Sequence, residues 1–377
     1  MNLLAVVTFV GFEKVVTFLV MLSVLIVLHE LGHFIMARRN GVRVNEFAVG
    51  FGPKLFAWTS PHSGTIYTLR ALPIGGFCAM EGEDNRSSEA QQQREFLAEG
   101  HAETSNFQAK SPWRRLGIIL AGPVANFILC YLILLIGALA FGVASDRAMP
   151  VVGEVISGSP AAIAGIRPGD RIIAIDEANI TSGKTLVDTI HRALGKQLDL
   201  VYERNGVRTK LHVRPQPCPP SVGKQYGCIG FQPVPAYERV GFIAAVRQSG
   251  DEFVAVASQT FASLKLLVTQ FSKYAPEVSG PIGMGQVAAT VQDWGWGPYF
   301  SLAATISFAL GLFNLLPIPA LDGGRAAFIV AELIRGRPVD PEKEAMVHIA
   351  GFAALMALIM LVAFHDIARI VSGQGIM

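Results

Sequence analysis

The chain has 377 residues, which corresponds to two or three folding units at about 150 residues each. Its composition is 51% hydrophobic and 16% charged, with a mean hydropathy of +0.43, whereas soluble globular proteins carry about 25% charged residues. The high hydrophobicity excludes a disordered chain, and the low share of charged residues indicates a membrane protein. Four cysteines exclude a disulfide scaffold, and a net charge of +2 gives no case for nucleic-acid binding.

Four apolar stretches are long enough to cross a bilayer. Residues 15–36 contain one charge, Glu30, and residues 116–143, 300–321 and 345–364 contain none. A bilayer core of about 30 Å requires roughly 20 helical residues, and backbone amides in hydrocarbon must be bonded internally. The sequence therefore predicts a polytopic α-helical membrane protein with four transmembrane helices. The first stretch is too long and lacks the basic leading flank of a signal peptide.

The loops on one side of these spans carry basic residues. They lie after the first span, before the second, and between the third and fourth: Arg38, Arg39, Arg43, Arg114, Arg115, Arg335, Arg337 and Lys343. Cytoplasmic loops are enriched in such residues. We therefore expect these loops in the cytoplasm, and both termini and the long segment 144–298 on the outer side.

The first span contains His29-Glu30-Leu31-Gly32-His33, an HExxH motif. Histidines four apart share one face of a helix and can bind the same cation. A catalytic Zn²⁺ keeps three protein ligands and a water, from which Glu30 would take a proton and pass it to the leaving amine. The alternative is two hydrogen-bonded core histidines with an ion-paired glutamate. Ionisable groups inside a span are usually functional, which favours the metal site.

The loop after the first span, about residues 42–80, is apolar and rich in glycine. Val42–Trp58 and Thr65–Phe77 alternate as strands do, and Gly50-Phe-Gly-Pro53 and Pro73-Ile-Gly-Gly76 resemble hairpin turns. This segment is too apolar for an ordinary cytoplasmic loop. The sequence predicts a β-hairpin that dips into the membrane, which requires its backbone to be buried in protein or to line a wet cavity.

Residues 147–215 predict a small α+β domain inserted between the second and third spans. Asn205-Gly206 between two alternating runs is a strong hairpin signal. The stretch SGSPAAIAGIRPGDRIIAIDEANI resembles the PDZ domains of bacterial proteases, which implies binding of an extended peptide at a sheet edge. Two alternatives remain: a packing module without a ligand, and a groove that only excludes large substrates.

Residues 216–298 follow as a linker and a helix. Pro215–Pro235 is rich in proline and glycine and contains Cys218 and Cys228, which would form a disulfide in an oxidising compartment or remain free thiols. Val240–Phe271 has mixed helical spacing. It predicts an amphipathic helix on the membrane surface or, alternatively, an ordinary packing helix.

The third metal ligand has no candidate close to the HExxH motif. Met36 and Arg39 stand where a metzincin has its glycine and third histidine, and Phe47–Met80 contains no acidic residue. The third span ends in Asn314-Leu-Leu-Pro-Ile-Pro-Ala-Leu-Asp322-Gly-Gly, where two prolines break the helix. His33 and Asp322 both lie near the cytoplasmic ends of their spans, so Asp322 is the candidate ligand. The alternative is a helix-capping aspartate.

HExxH in the first span and NxxPxPxLDGG in the third resemble the site-2 protease family of intramembrane zinc metalloproteases, peptidase M50. The likeness covers nearly the whole chain and includes Gly122-Pro123-Val-Ala-Asn126 in the second span. Within the family the chain is similar to bacterial regulators of the RseP type. Only one PDZ domain is visible in this sequence, whereas RseP is expected to have two, and this arrangement is similar to MmpA-type members.

The resemblance implies a set of roles. Zn²⁺ would be bound by His29, His33 and Asp322, with Glu30 as general base. The residues implied to contact the substrate or the transition state are Asn314, Asn126, Gly50, Gly52, Gly75 and Gly76. The β-hairpin would hold the substrate extended.

The resemblance also implies partners and a location. The substrate would be a single-span membrane protein, such as an anti-sigma factor or a remnant signal peptide, already cut by a first protease. A peptide C-terminus would bind the PDZ domain, and the enzyme would lie in the bacterial inner membrane. Two other classes remain open at this point: a membrane-anchored PDZ scaffold with a structural metal, and a metal transporter.

Overall fold

The structure is a computed structural model that describes residues 11–83, 105–145, 150–156, 158–218, 223–233, 236–271 and 280–371. The chain divides into two compact units. The first comprises Met1–Leu134, Gly250–Val291 and Phe300–Ile376, and the second comprises Leu135–Ser249, Gln292–Tyr299 and Met377.

Helices and strands alternate irregularly along the chain. In chain order they are α1 (Phe12–Arg39), β1 (Val44–Thr59), β2 (Ile66–Met80), α2 (Pro112–Phe141), β3 (Val143–Ser145), β4 (Val152–Val155), α3 (Pro160–Ile163), β5 (Arg171–Ile175), β6 (Ala178–Asn179), α4 (Gly183–Arg192), β7 (Leu198–Arg204), β8 (Val207–Val213), β9 (Gln216–Pro217), β10 (Gly227–Cys228), β11 (Phe231–Pro233), β12 (Ala236–Glu238), α5 (Phe242–Thr269), α6 (Pro281–Asp293), α7 (Trp296–Leu315), α8 (Asp322–Arg335) and α9 (Pro341–Val371).

Four helices in the described part of the chain are long and apolar enough to cross a membrane: α1, α2, α7 and α9. The prediction of four transmembrane helices is confirmed. The largest shortfall is in the third span, because α7 ends at Leu315 rather than at residue 321. Proline has no N–H to continue a helix and disfavours helical geometry in the residue before it, so Pro317 and Pro319 end α7 early. A short irregular turn then leads directly into α8.

Helices α1 and α2 approach each other closely where the site residues lie. A β-carbon on Gly32 of α1 would overlap the carbonyl oxygen of Ala121 and lie 2.8 Å from the side chain of Ala125. Small residues at such a crossing allow two backbones to come within van der Waals contact. This contact places the histidines of α1 against α2 near Ala121–Ala125.

Strands β1 and β2 pair with each other in more segments than a simple hairpin does. Residues 44–49 pair with 76–80, and Glu46–Val49 also pair with Ile66–Leu69, while Lys54–Thr59 pair back onto Ile66–Arg70. The reversal between the strands lies at residues 60–65, where Ser60 N–H bonds the Thr65 carbonyl. The two bent strands thus supply four paired segments, in the order 54–59, 66–70, 44–49 and 76–80.

The chain reverses direction at both segments predicted as hairpin turns, Gly50–Pro53 and Pro73–Gly76, but the arms joined by each segment do not pair with each other, so neither is a simple hairpin turn. Both segments lie inside strands, at irregularities in the register. Gly50, Gly52 and Gly75 have φ values of +86°, +87° and +81°, which glycine adopts without strain. Glycines with positive φ occur at bulges as well as at turns, and in this loop they lie where each long strand bends back.

Strands β1 and β2 with the turn between them, residues 44–80, are called the β-loop, and its two ends have opposite environments. Val44, Phe47, Cys78 and Met80 at its base are buried in a cluster with Ile118 and Ile119 of α2 and Ala326 and Ile329 of α8. Apolar side chains at its tip are exposed: Phe51, Leu55, Phe56, Trp58, Leu69 and Leu72. An exposed apolar surface of this kind favours contact with lipid or another protein.

The second unit contains the predicted α+β domain. Strands β6, β5, β7 and β8 form one sheet in that order, and β7 and β8 are joined by Asn205-Gly206, with φ values of +51° and +79°. Ser159 and Ser182 cap α3 and α4 by accepting bonds from the N–H groups of Ala162 and Thr185. Apolar side chains from β4, β5, α4 and β7 form the core.

The inserted domain extends further than the predicted boundary at residue 215. In the segment expected to be a linker, β10 pairs with β9, β11 with β4, and β12 with β3. These strands are two or three residues long, too short to show a periodic pattern. Cys218 and Cys228 are joined by a disulfide, which confirms the first of the two alternatives for that pair.

Helix α5 occupies the position of the expected amphipathic helix. Its Val256 is buried in a cluster with Cys130 of α2 and Phe308 of α7, whereas Val254 and Phe261 are exposed. One face of the helix therefore packs in the bundle of the first unit. A location along the membrane surface stays a prediction.

Candidate metal centre

Three side chains converge at one point in the first unit. On α1, His29 Nε2 lies 3.2 Å from His33 Nε2, because residues four apart stand above one another on a helix. Asp322 Oδ2 lies 3.1 Å from the first of these nitrogens and 3.3 Å from the second. Both histidines are buried. The sequence-predicted ligands are therefore brought together from two distant segments of the chain.

Asp322 reaches this point because of the turn that precedes it. It is the first residue of α8, directly after the irregular segment 316–321. A β-carbon on Gly323 would lie 2.5 Å from the carbonyl group of Leu315, and one on Gly324 would lie 3.0 Å from the carbonyl carbon of Ile318. Only glycine allows the start of α8 to pack this closely against the end of α7.

The other ring nitrogen of each histidine has a partner that sets its orientation. His33 Nδ1 lies 2.9 Å from the carbonyl oxygen of Ile118, an acceptor, so this nitrogen carries the proton and Nε2 presents its lone pair. His29 Nδ1 lies 3.1 Å from the side-chain amide of Asn126. Asn126 is fully buried, and its Oδ1 has no hydrogen-bond partner among the described residues.

Rotation of the Asn126 amide by 180° would place Oδ1 where it accepts the Nδ1 proton of His29. Nε2 of His29 would then also present a lone pair. Hydrogen bonds of this kind to the second nitrogen fix the tautomer of metal-binding histidines. With the amide rotated, both imidazoles present their Nε2 lone pairs towards Asp322.

These residues fit a zinc ion. Two imidazole nitrogens and a carboxylate oxygen are ligands that catalytic Zn²⁺ accepts, and tetrahedral ligands at 2.0–2.1 Å lie about 3.3 Å from one another. The three atoms have separations of 3.1–3.3 Å, and Asp322 Oδ2 is buried without a hydrogen bond among the described residues. Gly122 leaves the space open, since a β-carbon there would overlap His33 and lie 2.7 Å from His29 Nε2.

Glu30 lies between the two histidines in sequence and points to the β-loop. Its Oε2 accepts a hydrogen bond of 3.1 Å from the backbone N–H of Cys78 in β2. Residues 76–80 pair with 44–49 along one edge, and Cys78 N–H donates to Glu30 at the other. The edge of the β-loop therefore runs beside the carboxylate that the HExxH motif assigns as general base.

The remaining predicted site residues are distributed unequally. Gly75 and Gly76 lie against Ile26 and Val27 of α1, one turn before His29, whereas Gly50 and Gly52 lie against Leu72 in the β-loop. Asn314 is half-buried in the last turn of α7, eight residues before Asp322, and is not part of the three-residue group. Of the two asparagines, Asn126 is the one that contacts a histidine.

Two groups at the site were not predicted from the sequence: the Ile118 carbonyl and the Cys78 N–H. Backbone groups carry no residue signature, so only the fold reveals them. Gly122 belongs to the Gly122–Asn126 segment of α2 that resembles the family, but its closeness to both imidazoles follows from the helix crossing. A second group, His191 with Cys218 and Cys228, also has ligand-type atoms close together, but the disulfide leaves it no thiolates.

Comparison with known proteins gives one family and a consistent set of relatives. The model of Peptidase family M50 matches residues 17–358. The zinc metalloprotease RasP of Bacillus licheniformis is 34% identical, and the match covers 95% of this chain and 99% of that protein. The regulator of sigma-W protease RasP of Bacillus subtilis is 31% identical with the same coverage. The probable protease eep of Enterococcus faecalis is 29% identical, again over 95% and 99%.

Two solved structures are similar to a smaller part of the chain. The PDZ domain of the SdrC-like protein from Listeria monocytogenes is 23% identical, with a TM-score of 0.21, over 24% of this chain and 92% of that domain. The corresponding domain from Listeria innocua is 22% identical, with a TM-score of 0.21, over 23% and 93%.

Proposed function

The chain belongs to peptidase family M50 and is a multi-pass membrane zinc metalloprotease of the site-2 protease type, and from that premise we propose that it cleaves single-span membrane proteins in or near the bilayer. The observation that carries the proposal is the convergence of His29, His33 and Asp322 beside Glu30, on helices long enough to span a membrane. The four membrane helices support a reaction in or near the bilayer, since these polar residues lie among apolar segments.

We assign the zinc ligands as His29, His33 and Asp322. When bound, the metal supplies Lewis acidity that polarises the scissile carbonyl and makes water a nucleophile at neutral pH. Asn126 and the Ile118 carbonyl hold the two imidazoles in the orientation that binding requires. Gly122 keeps the space between the rings free of side-chain atoms.

Glu30 is the general base and acid in this proposal. It takes a proton from the attacking water and gives it to the nitrogen of the leaving amine. Two contacts support this role: Glu30 is next to His29 on α1, and its carboxylate accepts a hydrogen bond of 3.1 Å from the Cys78 N–H. Asn314, in the last turn of α7, contacts the substrate or the transition state in this proposal.

The β-loop holds the substrate as an added strand. A transmembrane helix protects its own peptide bonds by internal hydrogen bonds, so cleavage requires that a segment unwind. An edge strand replaces the lost bonds. The edge at Cys78 lies beside Glu30, and Gly75 and Gly76 bring that edge against α1. Gly50 and Gly52 contribute by bending β1 so that the loop folds over.

The substrate is a single-span protein such as an anti-sigma factor or a remnant signal peptide, cut after a first protease has removed its outer domain. The name of the Bacillus subtilis relative, regulator of sigma-W protease, supports a role in control of a sigma factor. A peptide C-terminus is the ligand of the PDZ domain. The basic loops after α1, before α2 and between α8 and α9 support an inner-membrane orientation with that domain outside and the metal centre towards the cytoplasm.

The proposal is tested with Glu30→Gln in purified protein and a single-span substrate in liposomes. Loss of the proton-transferring group predicts cleavage reduced about 10²- to 10⁴-fold, while bound zinc stays near one ion per chain. Glu13→Gln is the matched control, since it makes the same change on an exposed residue in the first turn of α1. Undiminished cleavage by pure Glu30→Gln protein contradicts the mechanism. A wild-type protein that binds zinc and cleaves nothing indicates a scaffold instead.

A further inference from the structure

The turn that delivers Asp322 has an unusual backbone conformation. Ala320, two residues before the ligand, has φ +76°, a left-handed value that non-glycine residues rarely adopt. Such conformations persist only where the surroundings hold them in place. The turn does have internal bonds, from Ile318 N–H to the Leu316 carbonyl and from Leu321 N–H to the Ile318 carbonyl. The N–H of Ala320 is bonded outside the turn.

That bond comes from α9. His348 Nδ1 accepts the Ala320 N–H at 2.9 Å, across 28 residues of sequence. Acceptance at Nδ1 requires the tautomer that carries its proton on Nε2. The imidazole side chain is only 17% exposed, and it packs beside the Phe328 ring of α8 with a centroid distance of 5.6 Å. The geometry therefore fixes both the place and the tautomer of this histidine.

A second contact from α9 falls on the neighbouring residue of the turn. Pro319 packs directly on Gly351, where a β-carbon would overlap the proline ring and lie 2.9 Å from its carbonyl oxygen. His348 and Gly351 are three apart and share one face of the helix. Consecutive residues of the turn, 319 and 320, are thus held by two neighbouring positions on one face of α9.

Outside these two contacts α9 packs sparsely, apart from the buried Asp366, whose carboxylate accepts the N–H groups of Gly280 and Gly283. No residue in its most apolar 18-residue window is buried among the described residues, in contrast to half of the window in α7. The helix therefore gives little of its surface to the packing of the bundle. Its contact with the turn before Asp322 consists of one hydrogen bond and one close packing contact rather than a broad apolar interface.

We propose that His348 and Gly351 are positioning residues, which hold the left-handed turn at Pro319–Ala320 so that the Asp322 carboxylate reaches the two histidines. This inference rests on the proposed function, because it takes Asp322 as a zinc ligand. The last membrane helix thereby controls the strength of metal binding without touching the metal. Loss of the His348 hydrogen bond lets the turn relax and moves the third ligand away.

The test uses full-length protein in detergent, loaded with zinc, and measures zinc release to a chromogenic chelator. His348→Ala is expected to speed release about 10- to 100-fold, the range seen when groups that orient metal ligands are removed. His348→Asn is expected to restore slow release, because its Oδ1 lies near the position of Nδ1, whereas His348→Gln is not. With Co²⁺ as the probe, the visible spectrum of His348→Ala shifts towards that of Asp322→Ala.

Two control variants separate this effect from general damage. His365→Ala removes an exposed imidazole from the same helix, and Gly250→Ala adds a β-carbon with nothing within 4 Å. Both are expected to match the wild type. Gly351→Ala, which pushes a β-carbon into Pro319, is expected to behave as His348→Ala does.

The outcomes distinguish failure of the ligand assignment from failure of the positioning inference. If Asp322→Ala releases zinc as slowly as the wild type, the ligand assignment in the proposed function fails. If Asp322→Ala is impaired and His348→Ala is not, the positioning inference fails and the ligand assignment stands. Impairment of both His348→Ala and His348→Asn also overturns it, because the hydrogen bond at Nδ1 would then not be the cause.

Discussion

The two histidines of the centre differ in how their outer nitrogens are held. His33 Nδ1 bonds a backbone carbonyl, which no substitution of a side chain removes, whereas His29 Nδ1 depends on the side chain of Asn126. Asn126 is itself held by Ser307, whose hydroxyl donates to its backbone carbonyl oxygen at 2.9 Å. The orientation of His29 is therefore the more sensitive of the two to mutation.

This difference predicts that Asn126→Leu weakens zinc binding about 10- to 100-fold, because the Nδ1–H of His29 loses its acceptor. Asn126→Asp keeps an acceptor of the same shape and is expected to bind zinc nearly as the wild type does. Equilibrium competition with a chelator of known affinity measures both. Equal affinities for the leucine and aspartate variants would show that Asn126 only fills space.

At the level of residues, the sequence predicted which three side chains converge, but not which groups orient the two imidazoles. HExxH places two imidazoles on one helical face from local geometry alone, and the prolines before Asp322 indicated a broken helix. The partner of His33 is a carbonyl 85 residues away, and that of Ala320 is a histidine 28 residues away. Such pairs depend on how helices cross, which no local pattern specifies.

Among the elements, the β-loop shows how glycine joins a sheet to a helix. A β-carbon on Gly76 would lie 2.6 Å from the carbonyl oxygen of Ala48 and 3.3 Å from Val27 of α1. Any side chain there separates β2 from either β1 or α1. The apolar runs of this loop predicted its strands correctly, but glycine spacing could not distinguish a bend within a strand from a turn between strands.

Gly76→Ala therefore predicts a defect in substrate handling rather than in the metal centre. Displacement of the strand that carries Cys78 moves the edge beside Glu30, and because small misplacements of a bound substrate are costly, cleavage of a membrane substrate is expected to fall about tenfold or more. Zinc content is expected to stay at the wild-type value. Both are measured on the same purified sample.

Gly183→Ala serves as the comparison variant, since a β-carbon there meets nothing within 4 Å and the position lies in the inserted domain. It is expected to cleave at the wild-type rate. A Gly76→Ala protein that loses zinc would place the glycine in the metal centre, and one with full activity would remove the β-loop edge from substrate binding.

On the scale of the whole chain, hydrophobicity predicted the four spans because length and apolar composition suffice to identify them. Hydrophobicity did not predict where the inserted domain ends. Residues 231–233 pair with 152–155, and 236–238 pair with 143–145, so the last short strands return to pair with the first. Pairings between segments so far apart in sequence leave no periodic signal in strands of three residues.

The arrangement of the chain across the membrane is the remaining prediction at this scale. The basic residues flanking α1 and α2, and those between α8 and α9, indicate that these loops face the cytoplasm and that the inserted domain faces outwards. Single cysteines introduced at exposed positions report this directly: Glu177→Cys in the inserted domain and Arg337→Cys between α8 and α9.

In intact cells, an impermeant maleimide is expected to label Glu177→Cys and to reach Arg337→Cys only after permeabilisation. The native cysteines give little background, because Cys78 and Cys130 are buried and Cys218 is bonded to Cys228. Unsubstituted protein is the control for that background. The reverse pattern of labelling would place the basic loops outside and contradict the predicted orientation. The prediction depends on the short basic loops, because long domains cross the membrane largely regardless of their charge.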